Sequence, residues 1–227
     1  MDFQLKIKLN DKLFIRDPEG TELGRKIIKH SIRMMYKHGF ESFTFKKLAE
    51  EIGTTEASVY RYFENKHRLL LYLSAWYWSW LQFRISFMIN NMEDPGQRLK
   101  AIIRELASKV RDDKSTGHIQ EHLLHQVIIQ EGSKAYLTRH VNADNKEHFF
   151  KPYKDLVAYI ANIILELNPD YAFPRSLAST IIEMAHHQNF FRQHLPSLTD
   201  FGRSIKDEQK LVNYLESLVF SPMAIKS

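Results

Sequence analysis

Apolar residues recur at helical spacing along almost the whole chain after Asp17-Pro18, and this periodicity limits its possible folds most strongly. The periodic segments are separated by breaks such as Asp94-Pro95-Gly96 and Asn168-Pro169-Asp170. With 227 residues, the chain can form one large domain or two small ones. We therefore predict an all-α protein with a compact basic front and a larger helical back.

Capping and breaking residues predict the helix bounds. Thr44 and Asn65 are natural N-caps, and Gly39 and Gly53 are natural stops. The front helices are expected over Leu23–His38, Phe45–Ile52, Thr55 to about Phe63, and Lys66 to about Asn90. Further helices are expected near 96–112, 118–131, 145–167, 175–193 and 207–219. From these bounds we expect an N-terminal arm or hairpin at 1–20, a compact front domain at 21–66 and a larger helical domain at 67–227.

Residues 3–16 alternate apolar and polar side chains around Asn10-Asp11, which predicts a short N-terminal β-hairpin. An isolated hairpin is marginally stable in water, so we expect it to pack against the front helices. The alternative is an arm that reaches a DNA minor groove through Lys6, Lys8, Lys12 and Arg16.

The composition excludes several classes of protein. The chain has no cysteine, so it cannot form a disulfide or a thiolate zinc site. Its first twelve residues lack the continuous apolar run of a signal peptide. The longest apolar stretch, residues 69–81, is too short to span a bilayer alone. We therefore expect a soluble cytoplasmic protein that is not bound to a membrane.

The positive charge is concentrated at the front of the chain. The net charge is +5, and Leu23–Arg68 contains ten basic and five acidic residues. About one fifth of the length therefore carries a clear basic excess, which favours an anionic partner for this region.

Two short helices joined by a turn at Gly53 make a helix-turn-helix pattern. The second helix would expose Ser58, Tyr60, Arg61 and Tyr62, hydroxyls and a cation that suit phosphate and base edges in a major groove. The apolar residues expected to face inward are Leu48, Ala49, Ile52, Val59 and Phe63.

The stretch GFESFTFKKLAEEIGTTEASVYRYFENKHRLL, residues 39–70, resembles the DNA-binding region of the TetR (tetracycline repressor) family of bacterial regulators. The matching positions are Gly39-Phe40, Thr44, Leu48-Ala49, Gly53, Thr54-Thr55, Tyr60, Phe63 and Lys66. The resemblance covers roughly residues 22–75. The rest of the chain agrees in helix number and length. The resemblance implies that residues 21–66 form a DNA-binding domain and residues 67–227 a helical effector-binding and dimerisation domain.

The resemblance implies two sets of DNA contacts. Thr44, Tyr60, Tyr62 and Lys66 would hold the DNA backbone, and Lys46, Thr55, Glu56, Ala57, Ser58 and Arg61 would lie at or near the groove. Other interpretations stay open for several of these residues. Thr44 can be an N-cap, Tyr60 a half-buried packing residue, and Lys46 with Lys47 a solvated face. Glu56 departs from expectation because a carboxylate repels phosphate. It would accept a hydrogen bond from cytosine N4 or cap the helix.

The resemblance also implies a homodimer that presents two recognition helices to a palindromic site, about 34–36 Å apart or somewhat more. The expected dimer surface lies on the last two long helices. Its residues are Ile181, Ile182, Met184, Ala185, Leu211, Tyr214, Leu215 and Leu218. The alternative is that both helices pack within one chain.

An aromatic stripe on the fourth helix forms core or, as the resemblance implies, lines a pocket for an apolar small molecule. The residues predicted to contact such a ligand are Trp76, Trp80, Phe83, His122, His125, Tyr159 and His187. His118, His122 and His125 share a predicted helix face, but no carboxylate completes a metal-binding set and no HExxH motif occurs. We expect no metal and no cofactor.

Three functions remain in competition at this point. The leading one is a homodimeric regulator, a repressor that a small, largely apolar ligand releases from a palindromic operator. The second is a DNA-binding regulator with no small-molecule effector, controlled by a protein partner. The third is an enzyme, and no catalytic motif supports it.

Overall fold

The structure is a computed structural model that describes residues 7–113 and 116–223, and all the regular secondary structure of these residues is helical. The helices are α1 (Glu22–Ser42), α2 (Phe45–Ile52), α3 (Glu56–Tyr60), α4 (Lys66–Ile89), α5 (Pro95–Ala107), α6 (Glu121–Glu131), α7 (Ser133–Tyr136), α8 (Val141–Lys146), α9 (Lys151–Leu167), α10 (Pro174–His194) and α11 (Ile205–Met223). Short 3-10 turns lie at Asp11–Leu13, Pro18–Gly20 and Pro196–Leu198. The prediction of an all-α fold is confirmed.

The predicted N-terminal hairpin is wrong over residues 7–16, where the described chain contains no strand. The Asn10 side chain accepts a hydrogen bond from the Lys12 N–H and caps a 3-10 turn, so Asn10-Asp11 does not reverse the chain. The Ile15 N–H donates to the Tyr62 carbonyl at 2.8 Å and has no partner strand. Residues 3–6, which would begin the hairpin, lie outside the described residues.

The segment 7–16 nevertheless packs on the front helices, as expected. Leu13 is buried, and the Phe14 ring meets the Tyr72 ring edge-on at 6.1 Å. Two of the cations considered for a minor-groove arm have partners within the protein. Lys12 pairs with Glu147, and the Arg16 guanidinium lies 5.5 Å from the centre of the Tyr62 ring.

The helix bounds at the front follow from local capping, and the predictions there are confirmed to within a few residues. The Thr21 hydroxyl accepts a hydrogen bond from the Gly24 N–H and begins α1. Gly39 breaks α1 with a φ of 76° and a ψ of 162°, a conformation almost reserved for glycine. Asn65 accepts from the Arg68 N–H at the start of α4.

Two helix bounds in the middle of the chain differ from the predictions. The helix expected over 118–131 begins only at Glu121, whose buried carboxylate accepts hydrogen bonds from the Thr116 hydroxyl and the Asp113 N–H. The helix expected over 145–167 is divided, because His148 adopts a left-handed φ of 61° between α8 and α9. The buried Asp144 ties α8 to α4 instead.

The chain forms two compact units. The first comprises the chain up to Trp80 together with Val110–Pro152, and within it α1 packs on α2 and α6. The second comprises Leu81–Lys109 and the chain from Tyr153 onward, and within it α5, α10 and α11 pack on one another. Helix α4 contributes residues to both units. None of the described helices is long and apolar enough to cross a membrane.

Candidate DNA interface

The α2–turn–α3 segment is held by its own side chains. The Thr44 hydroxyl accepts from the Lys47 N–H at 3.2 Å, which confirms Thr44 as the N-cap of α2. Gly53 ends α2 in the left-handed conformation, with φ 67° and ψ 41°. The Thr55 hydroxyl accepts from the Ser58 N–H and begins α3. The turn is therefore specified at both ends.

The inner faces of α2 and α3 fix how the two helices meet. Leu48, Val59 and Phe63 are fully buried, and the small Ala49 is buried at the same junction. Ile52 is only half-buried. The predicted inward face is confirmed apart from this partial exposure of Ile52. Because this face is buried, the opposite side of α3 faces solvent.

The outer face of α3 combines small, hydroxyl and cationic side chains. Thr55, Ala57, Tyr60 and Arg61 are exposed, and Glu56 and Ser58 are partly exposed. The Tyr60 ring packs edge-on against Phe45 at 5.0 Å yet remains 47% exposed, so it packs and presents its hydroxyl at once.

Two cations stand on or beside this face. Lys46 on α2 and Arg61 at the end of α3 are exposed, and neither forms an ion pair or hydrogen bond with the residues described here. Lys47 instead donates to the Ser42 carbonyl at 2.9 Å. Lys46 and Arg61 are therefore free to meet an anion.

Tyr62 is a core residue, so the prediction that it contacts the DNA backbone is wrong. Its side chain is 2% exposed, and its hydroxyl lies 2.8 Å from the hydroxyl of Thr21. Helix α3 ends at Tyr60, and the following turn directs Tyr62 inward between α1 and the segment 7–16. A side chain without accessible surface cannot reach a phosphate.

Lys66 holds the end of α1, and the contact of its ammonium with DNA stays a prediction. Its Nζ lies within hydrogen-bond distance of the carbonyl oxygens of Phe40, Glu41 and Phe43, at 3.1, 3.2 and 3.4 Å. The ammonium also lies 4.6 Å from the centre of the Phe40 ring. A lysine has three N–H donors, and these three carbonyls can take all of them.

Sequence reasoning missed Glu131, which holds the same corner from the other side. This buried carboxylate on α6 accepts from the Phe40 N–H at 3.0 Å and pairs with Lys134 at 2.6 Å. The only signal in the sequence was the glycine stop at Gly39, which says that the helix breaks but not what binds the freed N–H.

The residues proposed to line a ligand pocket are divided between core and surface. Trp76 and Trp80 are buried, and their rings stack at 6.2 Å. The His125 ring nitrogen lies 2.7 Å from the Tyr77 hydroxyl, and burial lowers the pKa of His125 to about 4, so this imidazole is neutral at pH 7. Phe83, by contrast, is 47% exposed.

The remaining candidates for ligand binding have local partners. His122 pairs with Asp112 at 2.7 Å on the surface, and the His187 ring nitrogen lies 2.9 Å from the Glu183 carbonyl. Tyr159 is half-buried on α9. His118 precedes α6 and pairs with Glu19, so the three histidines do not share one helix. No metal-binding group of three or more His, Asp or Glu occurs within 7–113 and 116–223.

The predicted dimer surface is mostly internal to the chain. Five of its residues are buried where α5, α10 and α11 meet, namely Ile181, Ile182, Ala185, Leu211 and Leu215. Side chains already buried in one chain offer no area to a partner, so the prediction is wrong for these five. Met184, Tyr214 and Leu218 remain partly exposed.

Comparison with known proteins agrees with this geometry. The family model for bacterial regulatory proteins of the tetR family matches residues 27–73, which contain α2, α3 and the start of α4. An uncharacterised HTH-type transcriptional regulator of Bacillus subtilis (strain 168), YerO, is 28% identical over 133 residues. That alignment spans 58% of this chain and 42% of YerO. Residues 27–73 of this chain are therefore similar to the tetR family of bacterial regulatory proteins.

Solved structures extend the likeness of fold to nearly the whole chain. A tetR-family regulatory protein from Rhodococcus RHA1 superposes with a TM-score of 0.62 at 13% identity, covering 88% of this chain and 96% of that one. AibR, in complex with isovaleryl coenzyme A and operator DNA, gives a TM-score of 0.60 at 17% identity, covering 87% and 99%. The fatty acid degradation regulator FadR from Bacillus halodurans superposes with a TM-score of 0.58 at 18% identity. The superposition covers 86% of this chain and 96% of FadR. The proteins of the matching family, like YerO, are regulators.

Proposed function

We propose that this protein is a homodimeric repressor of the TetR family that binds a palindromic operator and is released by a small, largely apolar ligand. The observation that carries the proposal is the outer face of α3, where Arg61 and Tyr60 stand exposed on a helix fixed from behind by Leu48, Val59 and Phe63. A rigid helix of this kind fits the major groove of B-DNA.

The side chains of this face suit different parts of a DNA groove. Ala57 and Ser58 are small, so the start of α3 can approach base edges closely. Tyr60 offers a hydroxyl to a phosphate, and Lys46 and Arg61 offer charge. Glu56 lies at the first position of α3, where its carboxylate repels phosphate and would accept from cytosine N4.

Two observations support the further parts of the proposal. AibR holds isovaleryl coenzyme A and operator DNA in one complex, so a protein of this fold can bind both classes of ligand. Met184, Tyr214 and Leu218 leave apolar area partly exposed on α10 and α11. A second copy of the chain that covered this area would give a dimer with two α3 helices, one for each half of a palindrome.

The test begins with selection of a duplex from a random pool, followed by fluorescence anisotropy with the selected DNA. Arg61→Ala should weaken binding by about 5- to 150-fold, because a lost base contact removes about 1–3 kcal/mol. If Arg61 meets only phosphate, the salt slope should fall by about one unit for each contact. Arg175→Ala, an exposed arginine at the start of α10, should leave affinity unchanged. Equal affinity for selected and random duplexes would overturn the proposal.

One observation favours the alternative of a regulator without an effector. The stacked Trp76 and Trp80 and the His125–Tyr77 pair form a packed core, which leaves these side chains little surface for a ligand. Titration of the protein–duplex complex with a panel of apolar and amphiphilic small molecules separates the two. Release of DNA by any of them supports the effector, and release only by another protein supports the alternative.

A further inference from the structure

The buried face of α10 changes chemistry along its length. Ala178, Ile182 and Ala185 are apolar and buried, and they continue at helical spacing into Asn189 and Arg192. Asn189 is 7% exposed and Arg192 is 5% exposed. The last two turns of the helix therefore place an amide and a guanidinium where the earlier turns place methyl groups.

Neither of these two polar groups is satisfied within the described part of the chain. Arg192 Nη2 and Asn189 Nδ2 are buried donors without a hydrogen-bond partner. No carboxylate of residues 7–113 or 116–223 forms an ion pair with Arg192. The two orphan donors lie one helical turn apart on the same buried stripe.

The acidic residues at the start of α11 do not serve Arg192. Asp207 accepts from the Ser204 hydroxyl at 2.6 Å and pairs with Lys210 at 3.2 Å, and these contacts lower the pKa of Asp207 to about 2. Arg203 adds a second cation, since its guanidinium donates to the backbone carbonyls of Arg192 and Gln193. The carboxyl end of α10 attracts cations but offers Arg192 no anion.

A buried arginine without an acidic partner is unfavourable, because no ion pair or hydrogen bond offsets the free energy of desolvating the charge. Buried arginines are almost always paired, so a missing partner indicates a ligand that supplies one. The guanidinium presents a planar fork of N–H donors that matches a carboxylate or a phosphate, and the Asn189 amide adds one more donor.

We propose that Arg192 and Asn189 bind the anionic group, a carboxylate or a phosphate, of a small molecule. That molecule is an amphiphile, because the apolar side chains of Phe191 and Leu195, close to Arg192 along the chain, are partly exposed. Its role as the effector rests on the proposed function, whereas its binding does not require DNA. The ligand would thus place its apolar part toward Phe191 and Leu195 and its charge at the end of α10.

The test uses the full chain, without DNA, in isothermal titration calorimetry. The probes are octanoate, octyl phosphate and the uncharged octanamide. At least one anionic probe should bind about tenfold or more tightly than octanamide, since a charge-assisted hydrogen bond is worth about that factor. The stronger of the two anions distinguishes a carboxylate from a phosphate. Equal binding of all three probes, or no binding of either anion, would overturn the proposal.

Two variants test the residues. Arg192→Met should abolish the preference for the anion and should leave the ligand-free melting temperature equal or higher, because an unpaired buried charge is removed. A lower melting temperature would mean that Arg192 has a structural partner, such as a carboxylate of a second copy, and would overturn the proposal. Asn189→Leu should lose part of the preference. Arg175→Met is the matched control and should behave as the wild type.

The effector role has its own readout. Anisotropy with the selected duplex should show release of DNA by the anionic probe, and Arg192→Met should not respond. Anion binding that leaves DNA affinity unchanged overturns the effector role. Failure to bind any palindromic duplex overturns the proposed function and leaves the calorimetric result intact.

Discussion

At the scale of single residues, side chains two positions apart take opposite roles. Tyr60 ends α3 and stays 47% exposed, whereas Tyr62 follows the helix and is 2% exposed. Helical spacing describes residues only within the helix, and α3 stops at Tyr60. Contacts beyond the helix end, with Thr21 and Ile15, decide the position of Tyr62.

Lys66 gives a direct test of structural against DNA-contacting roles. Lys66→Met should lower the free energy of unfolding by about 1.5–3 kcal/mol, because the carbonyls at the end of α1 lose a charged donor. Urea denaturation measures this loss. The salt slope of DNA binding should not change. A slope reduced by about one unit with unaltered stability would instead make Lys66 a phosphate contact.

His125 gives a pH-dependent prediction. Its folded-state pKa of about 4 lies below the ordinary value of 6.5, so the fold favours the neutral imidazole. The stability this provides is complete above pH 6.5 and is lost as pH falls toward 4. From pH 7 to pH 4.5 the wild type should lose about 2–3 kcal/mol relative to His125→Gln.

Comparison with His125→Gln at each pH isolates this one group. Burial raises the pKa of Glu121 to about 7, which makes the fold less stable as pH rises from 4.5 to 7, but Glu121 is present in both proteins and its effect cancels. A difference between the two proteins that stays constant with pH would contradict the assignment.

At the scale of elements, the corner after α1 is held from three directions. Gly39 supplies the backbone conformation, Lys66 of α4 binds the carbonyls, and Glu131 of α6 binds the Phe40 N–H. At a helix end the backbone donors and acceptors lack helical partners. Gly39 allows the chain to turn there, and Lys66 and Glu131 bind the unpaired backbone groups. The corner therefore joins α1, α4 and α6 within the first unit.

Gly39→Ala should lower the free energy of unfolding by about 1–3 kcal/mol, because φ 76° with ψ 162° is strained for any residue with a Cβ. The added Cβ would also lie 3.2 Å from Glu131 Oε1. Gly53→Asn is the matched control. At φ 67° and ψ 41° an asparagine is tolerated, and the loss should stay below about 1 kcal/mol. Equal losses in urea denaturation would contradict the distinction.

At the scale of the whole molecule, two leucines that lie three positions apart on α11 differ in burial. Leu215 is buried among α5, α10 and α11, and Leu218 is partly exposed. The spacing of three residues makes both look equivalent in the sequence, since it repeats on one face of an isolated helix. The packing of α5, α10 and α11 on one another decides which part of that face is covered.

Leu215→Ala should lower the free energy of unfolding by about 2–5 kcal/mol, the usual effect of truncating a buried leucine. Leu218→Ala should leave folding nearly unchanged and should raise the dimer dissociation constant in sedimentation experiments, if α11 contributes to the proposed dimer. An unchanged dissociation constant would remove Leu218 from the interface.

The domain boundaries at 20 and 66 remain predictions.

The sequence by itself determined the helical class, the front helix bounds, the capped α2–turn–α3 segment and its inward face, because these depend on residues within a few positions of one another. It could not determine the roles of Tyr62, Lys66 and Glu131. Their partners lie up to 91 positions away, as for Glu131 and Phe40, and only the packed chain brings them together. The same holds for Arg192, whose burial without a partner is a property of the folded helix layer and of no local pattern.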